Sequence, residues 1–333
     1  MKNLKLTTLT FILFLFCNAI GHAQFSGWKQ KVLEAGAALG SQKLGLTEVL
    51  KKPAAITTSF EDVDRNGSKF PNDITVKNVQ PLYLLPKATT AGYILCEGFY
   101  EMTTKSYCLK AGTYAPSKGD GYMYAPILGP QKDIVIAILK STEKHPEIQQ
   151  NDIQVLLWTI IARARFADYS GQVKATAVTL LTPIQLTQLE GGMLGVLPKS
   201  LMEKAKSKLP ATVQDAFEAE NNIRKMVASG NSSFAEMEKY AIIAGMAAAR
   251  TDVPSGTWTL HPDGYYVRYD PFGYSRTKVQ IYVPKELIAK GKTIIYDATD
   301  DIACPANTGS QRLAQTNEPI NPKYDIVLKT SCQ

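Results

Sequence analysis

The hydrophobic pattern of the chain changes period twice, and this change restricts the possible folds more than any other feature. From 131 to about 250, apolar residues recur at helical spacing, as at Ile153 and Leu157. On either side, short runs rich in tyrosine, valine and isoleucine are typical of strands. The pattern predicts an α+β fold, with a helical central region (131–250) flanked by two β-rich segments, 24–130 and 251–333.

The first 23 residues have the three parts of a secretory signal peptide. Lys2 and Lys5 form a basic region that is followed by an apolar run over 6–16. Gly21 and Ala23 supply the small residues that a signal peptidase requires. We therefore predict cleavage near Ala23 and export to the periplasm, the cell surface or the medium. The run is too short for a membrane-spanning helix, which needs about 20 residues, and the sequence predicts no transmembrane segment elsewhere.

The charge of the chain restricts its partners only weakly. The sequence has 37 Lys and Arg against 30 Asp and Glu, a formal net charge of +7. These basic residues are scattered rather than clustered, which argues against a nucleic-acid partner. The positive net charge would suit binding to an anionic glycan or to a membrane surface. The simpler explanation is that it keeps the protein soluble.

Four cysteines follow the predicted signal, and their even number in an exported chain favours two disulfides. The chain has no CxxC pair, and only two histidines follow the signal, so a Cys/His zinc site has almost no ligands available. The four candidates for disulfide formation are Cys96, Cys108, Cys304 and Cys332.

The pairing of these cysteines is predicted from a hairpin. The runs 92–100 and 105–109 indicate two strands with a turn at Met102. Cys96 and Cys108 would then lie opposite each other, at a Cβ separation of about 4.5–5.5 Å that is close to what a disulfide tolerates. The remaining two cysteines would join the C-terminal tail to the body.

A second interpretation concerns Cys108. Tyr107-Cys108, a loop rich in Gly, Pro and Tyr, and the later segment Ile153-Gln154 with Leu157-Trp158 resemble the Cys–Gln thioester domains of bacterial surface adhesins. The resemblance is confined to 106–158. Ile153 replaces the family's threonine, and the spacing between cysteine and glutamine is short for the family.

The resemblance implies a specific reaction. The sulfur of Cys108 would condense with the side-chain carbonyl of Gln154, expel ammonia, and leave a thioester that captures an amine on a host surface. The sequence also predicts a helix that begins at Asn151 or Asp152, which would put Gln154 in the first turn. Free N–H groups there can polarise a carbonyl and favour a thiolate. The alternative role for Gln154 is to cap this helix.

A third pattern suggests calcium. Alternate oxygen-bearing side chains and a glycine for the turn are the arrangement in which a loop wraps around Ca²⁺. Lys69 and Pro71 depart from the full helix–loop–helix motif, so the segment is either a reduced calcium loop or a polar turn. Its candidate ligands are Asp62, Asp64, Asn66 and Asp73.

Aromatic residues cluster in the C-terminal β-rich segment. Side chains alternate between the two faces of a strand, so one face of this hairpin could remain exposed. Exposed aromatic rings near arginine can stack on a glycan or a peptide, whereas helices on both sides of the sheet would bury them. The candidate ligand-binding residues are Tyr265, Tyr266, Arg268, Tyr269 and Tyr274.

No strong catalytic motif is present. The sequence lacks GxSxG, HExxH, P-loop and GxGxxG strings. A penicillin-recognising pattern beginning at Ser141 can be traced, but Ser141 is predicted to end a helix where the nucleophile of such enzymes opens one. The sequence therefore favours a non-enzymatic envelope or surface protein that binds a glycan or another envelope protein. The alternative is a covalent thioester adhesin that uses Cys108 and Gln154.

Overall fold

The structure is a computed structural model. It describes residues 45–65, 70–71, 75–190, 193–248, 252–307 and 309–322. The predicted signal peptide, Asn66, Asp73 and Cys332 lie outside the described residues. Helices and a mainly antiparallel sheet are both present, which confirms a mixed α+β fold.

The N-terminal part of the described chain contains one short helix and five strands. Helix α1 covers Leu46–Lys51. The strands are β1 (Gln80–Pro81), β2 (Tyr93–Ile94), β3 (Gly98–Cys108), β4 (Thr113–Tyr114) and β5 (Tyr122–Pro126).

A run of helices follows. Thr182 accepts the Gln185 backbone N–H and Pro183 occupies the first helical position, so a capping box begins the helix at 183–189. The helices are α2 (Lys132–Thr142), α3 (Gln150–Ile161), α4 (Gly171–Leu180), α5 (Pro183–Leu189), α6 (Lys199–Lys206), α7 (Ala211–Ala228) and α8 (Phe234–Ala241).

The C-terminal part returns mainly to strands, with one short helix. Its elements are β6 (Ile242–Ile243), β7 (Thr259–Leu260), β8 (Tyr266–Pro271), β9 (Arg276–Val283), α9 (Lys285–Ile288), β10 (Ile295–Tyr296), β11 (Asp301–Pro305) and β12 (Leu313–Pro319).

The two β-rich segments of the sequence form one sheet. Its strand order is β5-β11-β12-β3-β9-β8-β7, and β1 adds to β3 in parallel. The sheet curls until its edges approach, and the Tyr124 backbone N–H donates to Thr259 Oγ1 across 3.4 Å. Strand β3 lies at the centre, between β9 and β12, and carries Cys108 at its end.

Helix α3 contacts β3 and is buried almost all round. Each residue from Ile153 to Ile161 is buried, as expected for a helix without a polar face. Such burial contributes about 25 cal/mol for each Å² of apolar surface removed from water. The helix is therefore a rigid support for the side chains that it presents to β3.

The predicted hairpin around Met102 is wrong. Residues 98–108 form one continuous strand, in which Met102 pairs with Val279 of β9. At about 3.3 Å per residue, ten steps along this strand cover about 33 Å. Cys96 precedes one end and Cys108 is the other end, so a disulfide between them is excluded by distance. The segment 102–104 contains no Gly, Pro, Asn or Asp that would favour a turn.

Candidate functional site

Cys108 and Gln154 lie together in the interior. The Cys108 backbone N–H donates to Gln154 Oε1 at 2.8 Å, and Gln154 Nε2 donates to the Cys108 carbonyl oxygen at 3.2 Å. Cys108 is 0% and Gln154 2% exposed. The structure thus brings together the two residues that the resemblance singled out.

The start of α3 explains how Gln154 reaches the strand. The N-cap is Gln149, so the predicted cap at Asn151 or Asp152 is wrong and Gln154 lies one turn inside the helix. Gln150 lies one turn earlier on the same face and donates to the Ser106 and Ser275 carbonyl oxygens, at 3.2 and 2.7 Å. The two glutamines dock the helix onto the end of β3.

The position of Gln154 in α3 determines which group polarises its side-chain carbonyl. The free N–H groups of the helix N-terminus do not reach it, because Gln154 is past the first turn. The donor is instead the backbone N–H of Cys108. A backbone N–H held against a carbonyl oxygen in a buried site is the arrangement that stabilises an oxyanion in acyl transfer.

Cys108 and Cys304 are free and buried. The predicted Cys96–Cys108 and Cys304–Cys332 pairings are therefore wrong. Cys96 is disulfide-bonded, and neither of these two residues is its partner. Burial, with the charge of Glu238, raises the pKa of the Cys108 thiol, and burial raises the pKa of Cys304 to about 12.

An aromatic and acidic cluster adjoins the pair. Trp158 lies one turn after Gln154, is 0% exposed, and stacks on Phe234 with ring centroids 5.4 Å apart. The Tyr274 ring lies 6.4 Å from Trp158. The Tyr274 hydroxyl donates to the carboxylate of Glu238. Burial and this hydrogen bond raise the pKa of Tyr274.

The backbone at Tyr274 is fixed to the same strand as Cys108. Ser106 Oγ donates to the Tyr274 carbonyl oxygen at 3.0 Å, and the Ser106 backbone N–H donates to the Ser275 carbonyl oxygen at 3.0 Å. Ser106 and Cys108 are two residues apart in β3 and share one face. The sequence pattern singled out Tyr274 only as part of an aromatic surface, and it gave no signal for Phe234 or Glu238.

Of the two alternatives for the aromatic cluster, burial is the one observed for its three central tyrosines. Tyr265 and Tyr269 are each 1% exposed and Tyr266 is 7% exposed. The curled sheet covers the faces that an isolated hairpin would leave in water. Arg268 is partly exposed, and its Nε donates to Gln280 Oε1 at 2.6 Å.

A separate cleft of about 380 Å³ lies near Trp258. Phe70 stacks on Trp258 at 4.8 Å, and the Arg268 guanidinium lies 4.6 Å from the same ring. Both faces of the indole are therefore covered, and a sugar could not stack on either without displacing a neighbour. The cleft is lined in addition by the exposed Asp64, Arg65 and Asp252.

The calcium pattern is only partly within the described chain. Asp62 Oδ2 accepts the Ser59 backbone N–H at 2.8 Å and its hydroxyl at 3.2 Å, so this carboxylate caps a 3₁₀ turn. Asn66 and Asp73 lie outside the described residues. In the ranges described, no group of three or more His, Cys, Asp or Glu side chains is placed to hold a metal ion. Calcium binding stays a prediction.

No family model matches the chain, and no curated protein or solved structure matches it either. Within the part of the chain that the structure covers, no helix has both the length and the apolar character needed to cross a bilayer.

Proposed function

We propose that this chain is an exported, thioester-forming surface protein that attaches covalently to an amine-bearing partner. The observation that supports it most is the double hydrogen bond between the Gln154 carboxamide and the backbone of Cys108. Cys108 is free, so its sulfur is available for the reaction.

The reaction balances without a further reactant. Cys108 Sγ attacks Gln154 Cδ, the S–H and C–N bonds break, and an S–C bond forms. The thiol proton leaves with the amide nitrogen as ammonia. The Cys108 N–H that donates to Oε1 would stabilise the oxyanion of the tetrahedral intermediate.

The location of the pair suits a thioester that must persist until a partner arrives. Both residues are buried, and exclusion of water slows hydrolysis of a reactive acyl group. Phe234, Glu238 and Tyr274 next to the pair are partly exposed. An amine would reach the acyl carbon from this side, and its attack would form an amide at Gln154 and release the Cys108 thiol.

Several sequence predictions accompany this proposal. Export after cleavage near Ala23 would place the chain at the envelope or outside the cell, where an adhesin acts. We also propose that the chain is organised as a helical region, 131–250, between two β-rich segments. A calcium loop near Asp62 and Asp64 is a further proposal.

A second candidate function is non-covalent binding of a glycan or an envelope protein. The cleft near Trp258 favours it, because charged residues such as Arg65 and Asp252 line it and can hydrogen-bond to a polar ligand. Saturable binding of the purified protein to an envelope glycan, lost in Trp258→Ala and retained in Cys108→Ala, would support this function over the covalent one.

Intact mass spectrometry tests the thioester. The exported protein should be lighter than its sequence, after allowance for its disulfide, by one ammonia, and methylamine should then add its own full mass. Cys108→Ala should abolish both changes and the matched variant Cys304→Ala should keep both. A wild-type mass with no ammonia deficit would refute the proposal.

A further inference from the structure

We propose that Tyr274 and Glu238 form a proton relay for the Cys108–Gln154 reaction. This inference rests on the thioester function proposed above. Tyr274 would exchange protons with the reacting atoms, and Glu238 would act through it as a positioning residue and proton acceptor.

Two independent connections join this pair to the strand and the helix that carry the reacting groups. On the strand side, Ser106 Oγ holds the Tyr274 backbone, two residues before Cys108 on the same face. On the helix side, the Tyr274 ring packs on Trp158, one turn beyond Gln154. Glu238 then accepts the Tyr274 hydroxyl proton in a hydrogen bond.

Thioester formation requires a group that accepts the proton of the Cys108 thiol. Burial raises the pKa of Cys108, so the sulfur is a thiol at neutral pH and must lose its proton in order to attack. That proton cannot pass to Gln154, Trp158 or Phe234, because none of these side chains is basic. A carboxylate that acts through a hydroxyl is a general base of the kind that enzymes use.

The Tyr274–Glu238 relay passes the thiol proton on to the leaving ammonia, so the relay itself is unchanged after each reaction. The Tyr274 hydroxyl gives its proton to Glu238 while its oxygen takes the proton of the Cys108 thiol. When the C–N bond of Gln154 breaks, the same steps run in reverse, and the proton passes to the departing nitrogen to form ammonia. Glu238 is again a carboxylate at the end.

The rate of thioester formation can be measured on the folded, full-length exported protein. A high concentration of ammonia reverses the reaction and regenerates the Gln154 amide, and removal of ammonia starts re-formation. Intact mass follows the loss of ammonia with time. The variants are Tyr274→Phe, Glu238→Gln, Glu238→Asp and Glu238→Ala, with circular dichroism to confirm that each is folded.

Glu236→Gln is the matched control, since Glu236 lies on the same helix and pairs with the exposed Lys239 at 2.5 Å. We expect Tyr274→Phe and Glu238→Gln to slow re-formation roughly 10²-fold, as for loss of a general base. Glu238→Asp should be slowed less, and added acetate should restore part of the rate in Glu238→Ala. Glu236→Gln should react like the wild type.

Acetate rescue separates a proton acceptor from a residue that only supports the fold, because acetate replaces a carboxylate but not its packing. Re-formation at the wild-type rate in Glu238→Gln or Tyr274→Phe, or a slowed Glu238→Ala that acetate does not restore, would overturn the relay and leave the thioester intact. A wild type that never loses ammonia would overturn both proposals.

Discussion

Trp158 and Phe234 stack with their ring centroids 5.4 Å apart and their planes 25° from parallel. This contact joins α3 to α8, two helices that are not consecutive in the chain. Gln154 lies one turn before Trp158, and Glu238 lies one turn after Phe234. The stacked pair therefore brings the Gln154 carboxamide and the Glu238 carboxylate to the same region.

Phe234→Ala should weaken this junction. The ring is partly buried, so we expect a loss of about 1–3 kcal/mol in the free energy of unfolding, measured by urea denaturation. Phe272→Ala, at a ring that is 46% exposed, is the control and should change stability by less than about 0.5 kcal/mol. Equal effects of the two substitutions would contradict the assigned role of Phe234.

Glu220→Ala should be much more destabilising. Glu220 Oε2 lies 2.5 Å from the Arg163 guanidinium and 3.6 Å from that of Arg224, and all three side chains are buried. Removing the carboxylate leaves two buried cations without their counter-charge, which costs about 3–5 kcal/mol.

The control for Glu220 is Glu218→Ala on the same helix. Glu218 pairs with Lys206 at the surface, and such pairs contribute about 0–1 kcal/mol. Thermal denaturation of the two variants side by side measures the difference. A melting temperature for Glu220→Ala close to that of Glu218→Ala would show that the buried network does not hold α7 to the end of α3.

Glu190→Gln should show a pH-dependent gain in stability. Burial, and then the charge of Asp168, raises the pKa of Glu190 from 4.5 to about 6. A raised folded-state pKa means that the ionised carboxylate destabilises the folded protein above about pH 6. The cost falls as pH drops through 6 and is absent below 4.5, where the group is protonated in both states.

The expected gain for Glu190→Gln is about 1 kcal/mol at pH 8, after allowance for screening of this partly exposed group. Wild type and variant should converge near pH 4. Urea denaturation at the two pH values measures the difference. A gain that is the same at both would show that the carboxylate is not destabilised by its surroundings.

Thiol counting should distinguish the two buried free cysteines. Neither Cys108 nor Cys304 should react with a thiol reagent in the native protein, since burial excludes the reagent and raises both pKa values. Rapid denaturation without reductant should expose the Cys304 thiol. Pretreatment with methylamine should raise the thiol count by one by releasing Cys108, whereas a count that methylamine does not change would argue against a thioester.

Local patterns predicted the parts of the fold that depend on short-range interactions. The mixed α+β class followed from the change in hydrophobic period along the chain. The hairpin prediction failed because the partners of β3 are distant in sequence. Met102 pairs with Val279, and although 102–104 lacks turn-favouring residues, no signal in the sequence identifies so distant a partner.

The candidate site shows the same limit. Short motifs singled out Cys108 and Gln154, and the structure places them in contact. The predicted cap of α3 is wrong because Asn151 and Asp152 are good capping residues, yet the contact of Gln150 with Ser106 of β3 begins the helix at Gln150. Phe234 and Glu238 could not be predicted, since they join the site only through tertiary packing of α8.

The most direct test of the thioester is the position of a captured amine. The purified, full-length protein is incubated with a fluorescent primary amine, digested, and sequenced by tandem mass spectrometry. We predict that the label forms an amide at Gln154, that no label is found when Cys108 is replaced by alanine, and that Cys304→Ala is labelled normally. An unlabelled wild type, or label that persists in Cys108→Ala, would contradict a thioester between Cys108 and Gln154.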